Sequence, residues 1–277
     1  MAKWEEETKS LRKDIFLAAY TGGMAHLASA YSCVEIVYSL YCAGAMRHDP
    51  KNPAWNERDR FILSKGHGSL AQYAALCRAG YFSKEQLMAF ARPESKLGGE
   101  PSLYIPFGIE ASTGSLGHGL SLGVGISLAQ KADHIGARTF VLVGDGECEE
   151  GSVWEAIMAA VKYRLGNLII ILDHNRIQKM DTVTNVMGIA EWKEKFLAFG
   201  LDYVEADGHD VDSLCRIFTN LEDRGKPHVV VANTIKGKGI SLMENNPGWH
   251  WRMPNRRETK VFFSELGITE EELIPCR

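Results

Sequence analysis

An α/β fold, with a mostly parallel sheet carrying helices on both faces, is predicted by three observations. From residue 139 to 234, short apolar β-runs alternate with longer helical stretches. Three of those runs, TFVLVGDG (139–146), NLIIILD (167–173) and HVVVANT (228–234), are apolar throughout rather than alternating, as strands buried on both faces are. The runs are separated by segments long enough for the crossover helices that parallel pairing requires.

The elements follow in order. Leu11, Ile15, Ala18 and Ala19 recur at helical spacing and predict a helix over 5–21. Ser32 with Glu35 reads as a capping box opening a second helix, CVEIVYSLYCAG. SLAQYAALCRA (69–79) reads as another, and Ser83 with Gln86 starts a short one. GHGLSLGVGISLAQKA (117–132) is a helix rich in small residues. An interior Gly costs up to about 1 kcal/mol against Ala, so Gly119, Gly123 and Gly125 predict the close approach of another element or a ligand. After the first β-run come a helix over 152–166 closed by Gly, the second run, a helix EWKEKFLAFG, a strand DYVEADG and a helix DVDSLCRIFTNLEDRG. Residues 245–257 read as a Pro/Gly/polar connection, and Thr269 with Glu272 starts a final short helix. No repeat, low-complexity tract or linker interrupts the chain. A single domain over 1–277 is expected, with a C-terminal extension from about 245.

Bulk properties exclude several classes. The 277 residues are 45% hydrophobic and 24% charged, ordinary for a globular chain. A net charge of -4 gives no nucleic-acid footprint. MAKWEEETKS is too acidic for a signal peptide, and the apolar stretches fall short of the roughly 18 residues of a membrane span. Six cysteines at 33, 42, 77, 148, 215 and 276 form no CxxC pair, the pattern of reduced thiols in a cytoplasmic protein. Cys148 is expected to be a buried bystander.

Chemistry concentrates where strands end. Asp145 closes one β-run; Asn175 follows the next, 30 positions later, one βαβ crossover away. Both therefore reach the carboxyl edge of the sheet, where open α/β sheets bind ligands. A carboxylate, an amide oxygen and a nearby carbonyl are hard oxygen ligands suited to Mg²⁺, which takes further ligands from phosphates and water. The glycines of Gly144-Asp145-Gly146 let backbone amides approach a diphosphate. The competing reading is a plain Asp-Gly turn followed by a loop Asn.

GDGECEEG followed by ILDHNRI resembles the thiamine diphosphate motif. With RDRFILSKGHG (58–68), GIEASTGSLGHGLSLGVG (108–125) and TIKGKGISLMENNPGWH (234–250), the chain resembles the N-terminal half of transketolase over roughly 5–255. The resemblance implies a thiamine diphosphate-binding fold, here its diphosphate-binding domain. It implies Asp145, Asn175 and the carbonyl of Ile177 as ligands of Mg²⁺ or Ca²⁺. Gly146, His67 and His250 would contact the diphosphate; Gly114 and Leu116 would line the cofactor rings; His26 would face the sugar. Glu150 and Glu155 match acids that join a carboxylate network across the subunit contact. Glu147 and Glu149 are expected to be solvated loop acids, and the rival reading of His250, between two tryptophans, is a packed histidine. His48, His134, His209 and His228 lie outside the matching blocks and carry no expected role.

The resemblance further implies transfer of a two-carbon ketol unit from a ketose to an aldehyde. The domain supplying the catalytic glutamate is not matched here, so a second, C-terminal transketolase-like subunit is expected, in an α2β2 assembly. Departures from the family pattern fall at Ala25-His26-Leu27-Ala28, at Gly99-Glu100-Pro101, where Gly-His-Pro is usual, at Leu116-Gly117-His118-Gly119 and at Trp251. A carboxylate at Glu100 disfavours an anionic group close by, by about 1–4 kcal/mol, so a specialised donor or acceptor is expected. The competing functions are the α subunit of a 2-oxo acid dehydrogenase-like or acyl-transferring assembly and a non-catalytic scaffold subunit.

Overall fold

A computed structural model describes residues 3–188, 191–269 and 271–272. Its elements are α1 (Lys3–Gly22), α2 (Leu27–Ser32), α3 (Val34–Tyr41), β1 (Arg60–Leu63), α4 (Ser69–Ala79), α5 (Lys84–Met88), α6 (His118–Ala132) and β2 (Thr139–Gly144). These are followed by α7 (Gly151–Lys162), β3 (Leu168–His174), α8 (Val183–Val186), α9 (Trp192–Ala198), β4 (Asp202–Asp207), α10 (Val211–Asn220), β5 (His228–Asn233) and α11 (Arg256–Leu266).

Among the described residues the five strands form one sheet in the order β1-β2-β3-β5-β4, every pair parallel. Side chains alternate across it. Phe61, Phe140, Leu142, Ile169, Ile171 and Val230 pack on one face against α1–α4 and α10; Ile62, Val141, Val143, Ile170, Leu172 and Val229 pack on the other against α6, α7 and α9. Every position of β2 is buried, which is why its sequence reads as a continuous apolar run.

The glycines of α6 divide. A Cβ on Gly119 would fall 2.6 Å from Ser64 Cα, and one on Gly123 would strike the Val141 side chain, so both permit the helix to lie on the sheet. Gly125 has nothing within 4 Å and sits with exposed Leu122 and Leu128 on the outer side, so the expected close approach is absent there.

Two local expectations are corrected. Ser32 and Glu35 form no capping box: Ser32 is the last residue of α2, its hydroxyl donates to Asp173, and Glu35 pairs with Arg12. Buried ionic partners outcompeted a local cap. The stretch after 245 is largely irregular, but Asn255 and Glu258 make a genuine capping box that opens α11. Phe262 of that helix packs 4.9 Å from Phe16 of α1, ring centre to ring centre, joining the segment to the main core. At Thr269, the amide donates to the Glu272 carboxylate; the rest of the expected last helix lies outside the described residues, as does Cys276.

Candidate active site

Four parallel strands deliver their carboxyl ends to one place. Ser64-Lys65 follows β1, Asp145 follows β2, Asp173 to Asn175 close β3, and Thr234 to Lys236 follow β5. There they border a cavity of about 260 Å³ whose lining includes Asp145, Gly146, Asn175, Ile177, Gly114 and Leu116. His26, His67 and His250 also line it, with ring centres 5.6, 5.2 and 5.7 Å apart pairwise. Thus nine of the expected residues meet in one cavity. Glu150 and Glu155 do not: both are exposed at the start of α7, outside the lining.

Asp145 is 2% exposed. Its carboxylate accepts from the Gly146 amide at 2.8 Å and from the Arg176 amide at 2.5 Å, so the turn after β3 folds over it. Arg176 takes a left-handed φ of 67° within that turn, and Asn175 Oδ1 accepts from the Ile177 amide at 3.1 Å. Burial, then the charge of Asp173, raises the Asp145 carboxyl to about 7. An ionised carboxyl here calls for a cation. The donor set is one carboxylate, one amide oxygen and the Ile177 carbonyl. Among the described residues no three His, Cys, Asp or Glu cluster as a self-sufficient metal site, so further ligands must come from a bound molecule or water. That is the donor chemistry of a Mg²⁺ shared with phosphate oxygens.

The second deep carboxylate, Asp173, is already satisfied. Lys65, Ser32 and Thr234 all donate to it, and Asn175 Nδ2 approaches at 3.3 Å. Three lysines, Lys65, Lys179 and Lys236, line the cavity, and Lys236 lies next to His250. Its Nζ donates to the carbonyls of Ile177 at 3.0 Å and Gln178 at 3.2 Å, and lies 3.4 Å from His250 Nδ1. Burial and the neighbouring Lys65 lower it to about 8. Burial first, and Lys236 next, bring His26 down to about 4 and His250 to about 3. The cavity therefore combines neutral imidazoles with lysines, a setting made for an anion.

Residues that sequence reasoning missed are Lys65, Lys236 and Glu147. Lys65 and Lys236 lie inside the quoted SKGHG and TIKGKG blocks, so the signal was present. Glu147 is not a solvated acid: it is 2% exposed, because the 3₁₀ turn Gly146–Glu149 rolls it inward. Its carboxylate accepts from the Ser64 hydroxyl, the Gly117 amide at 2.9 Å and the Gly144 amide at 3.0 Å, tying β1, α6 and β2 together beneath the cavity. Glu149 is half-buried and accepts from Gln178 Nε2 at 2.5 Å. Cys148 is buried away from the cavity, as expected. His250 lines the cavity, while Trp249 packs into the core against Phe262, and Trp251, 50% exposed, lies with its ring tilted against His26 at 4.2 Å between ring centres.

Residues 8–274 match the family model described as "Transketolase, thiamine diphosphate binding domain". The chain belongs to the transketolase family. It is 39% identical over 263 residues to an apulose-4-phosphate transketolase subunit of Actinobacillus succinogenes, covering 95% of each chain. It is 39% identical over 245 residues to the "6-deoxy-6-sulfo-D-fructose transketolase subunit SqwG" of a Clostridium species, covering 88% of this chain and 89% of that one. A solved transketolase from Leishmania mexicana superposes with a TM-score of 0.86 at 25% identity, over 100% of this chain. The chain spans 44% of that longer protein. This transketolase-family chain is thus of the N-terminal subunit type of a split transferase, and the family match decides against the 2-oxo acid dehydrogenase reading.

Proposed function

We propose that this transketolase subunit binds thiamine diphosphate through Mg²⁺ or Ca²⁺ and, with a partner, transfers a two-carbon ketol unit from a ketose donor to an aldehyde acceptor. The observation that carries the reading is Asp145, a buried carboxyl at a strand end beside Asn175 and the Ile177 carbonyl, facing lysines and neutral histidines. Asp145, Asn175 and Ile177 would hold the metal, and Lys236, His67, His250 and the Gly146 amide would receive the diphosphate. Gly114 and Leu116 would flank the rings; a Cβ at Gly114 would run into the Glu100 carboxylate, so only glycine leaves that wall open. Bound there, the cofactor would supply the stabilisation of negative charge that cleavage beside a carbonyl requires. His26, against Trp251 at the cavity mouth, would orient the sugar hydroxyls.

The partner would be a C-terminal transketolase-like subunit supplying the pyrimidine-binding domain and its glutamate, in an α2β2 complex. The relatives named as subunits support this, as does the outer side of α6 and α7, where Leu122, Leu128, Met158 and Tyr163 are exposed next to Glu155. We read residues 1–277 as one domain. A cytoplasmic setting fits the described cysteines, which are all unbridged, and no helix among the described residues is long and apolar enough to cross a membrane.

Glu100 directs the substrate. It lines the cavity, and among the described residues it has no hydrogen bond or ion pair. A free carboxylate there accepts hydroxyls and repels anionic groups, which supports a specialised sugar donor rather than an ordinary pentose phosphate. The decisive experiment is reconstitution with the co-purifying partner, thiamine diphosphate and Mg²⁺, followed by ketol transfer from a panel of ketoses. Transfer abolished by Asp145→Asn supports the reading; transfer that survives it returns the scaffold alternative to the front.

A further inference from the structure

His209 has no place in the cavity, yet it is wired to it. The Ile235 amide donates to His209 Nε2 at 2.8 Å. A backbone N–H can only donate, so Nε2 is the lone-pair nitrogen, and Nδ1 carries the hydrogen given to Glu35 Oε2 at 2.8 Å. Glu35 in turn accepts from both terminal nitrogens of Arg12, at 2.6 and 2.8 Å. Arg12 Nε closes the circuit by donating to the Lys238 carbonyl at 2.8 Å. Between these two anchors the Gly237 amide donates to the Ala28 carbonyl at 3.0 Å. The turn over 235–238 is therefore held at its first, third and fourth residues by α1, α2, α3 and the loop before α10. Its second residue, Lys236, is the one that enters the cavity.

We infer that His209, with Glu35 and Arg12, is a positioning device for Lys236, holding the ammonium where it meets the Ile177 and Gln178 carbonyls and the His250 ring. The inference rests on the proposed diphosphate and metal site. A lysine on a free turn would spread its charge over many rotamers, whereas a turn pinned from behind delivers it to one place. Arg12, Glu35, His209 and Lys238 themselves line an open groove together with Trp4, Thr8 and Asp212. There the Glu35 oxygens and both His209 nitrogens are taken up by the network's own bonds, and Trp4 Nε1 donates to Asp212, so these contacts serve the turn rather than a ligand in the groove.

The test uses the reconstituted complex and the variants His209→Leu, His209→Gln and Lys236→Met. Thiamine diphosphate affinity is measured by titration calorimetry with Mg²⁺ present, and amide exchange of the 235–238 segment by mass spectrometry. Leu removes the acceptor; Gln offers a side-chain oxygen to the Ile235 amide. His209→Leu is expected to weaken cofactor binding about 10- to 100-fold, with faster exchange at 235–238 and kcat at saturating cofactor changed far less than the cofactor KM. His209→Gln is expected to recover most of both. In the double variant with Lys236→Met, the His209→Leu effect should largely vanish, since both act through one group. Unchanged affinity in His209→Leu, or fully additive losses in the double variant, overturns the inference. A wild-type complex that binds no thiamine diphosphate overturns the underlying site instead.

Discussion

Lys65 and Asp173 form an ion pair with side chains only 1% and 0% exposed, directly beneath the candidate site. Such a pair contributes little net stability over an apolar equivalent, but removing one member strands the other in low dielectric. Lys65→Met should destabilise the fold by about 3–5 kcal/mol, measured by urea unfolding. A loss below about 1 kcal/mol would mean that Ser32 and Thr234 suffice to hold Asp173.

Asp145→Asn keeps the shape and the acceptor for the Arg176 amide but removes the charge. Loss of a metal ligand should weaken Mg²⁺-dependent cofactor binding by at least about 100-fold. The metal-free fold should be as stable as wild type or more so at pH 8, because the buried charge is gone. Calorimetric titration and thermal melts of the same samples separate the two effects; equal cofactor affinity would refute the metal assignment.

The cavity histidines should not titrate near neutrality. Burial first and Lys236 second hold His26 at about 4 and His250 at about 3, so both rings should stay neutral, as read from their ring-nitrogen resonances, from pH 5.5 to 8 in the cofactor-free chain. Binding an anion should move both upward. A midpoint near the ordinary histidine value, seen by NMR, would contradict the burial.

Two glycines of α6 should respond with opposite sign. Gly123→Ala drives a methyl into Val141 and should cost about 1–3 kcal/mol. Gly125→Ala meets nothing and should stabilise the isolated chain by about 0.5–1 kcal/mol through helix propensity. A bulky Gly125→Trp should leave the isolated chain folded and block partner assembly, read by native mass spectrometry. Full assembly of that variant would move the contact elsewhere.

Acid should loosen the fold through Glu35. Its burial pushes the carboxyl up, but Arg12 and His209 outweigh that and hold it at about 2. A carboxyl held below its unfolded value adds stability that is fully present above the unfolded pKa and disappears as pH falls toward the folded one. The contribution, about 3 kcal/mol, should therefore be lost between about pH 4.5 and 2. The Glu35→Gln variant should be less stable at neutral pH, with a flatter acid limb in chemical denaturation. An unchanged limb would remove Glu35 from the account.

What could be read from the chain was what repeats or what is local. The apolar runs at 139 and 167 announced buried parallel strands, and Asp145 with Asn175 announced the ligand edge. β1 escaped because it has only four residues, Arg60–Leu63, too short for a period to register. Its partner β2 lies far along the chain, so pairing, not local propensity, makes it a strand. Ser32-x-x-Glu35 looked like a cap because proximity in sequence is all such a motif encodes. The groups that claim those side chains, Asp173 and Arg12, arrive from distant elements. Glu147 was misjudged for the same reason: an acid in an acidic loop reads as solvated until Ser64 and Gly117 are seen to reach it.

The position of β5 between β3 and β4 has a consequence for synthesis. On the ribosome, β4 emerges before the strand that must separate it from β3, so it has no neighbour to pair with when it appears. Until residue 233 is out, the edge of β3 stays open and apolar, and the nascent chain carries an adhesive surface that other strands can cap. Translation that stalls in α10 therefore releases a product prone to aggregate, and steady elongation through the last strand protects the yield of this protein.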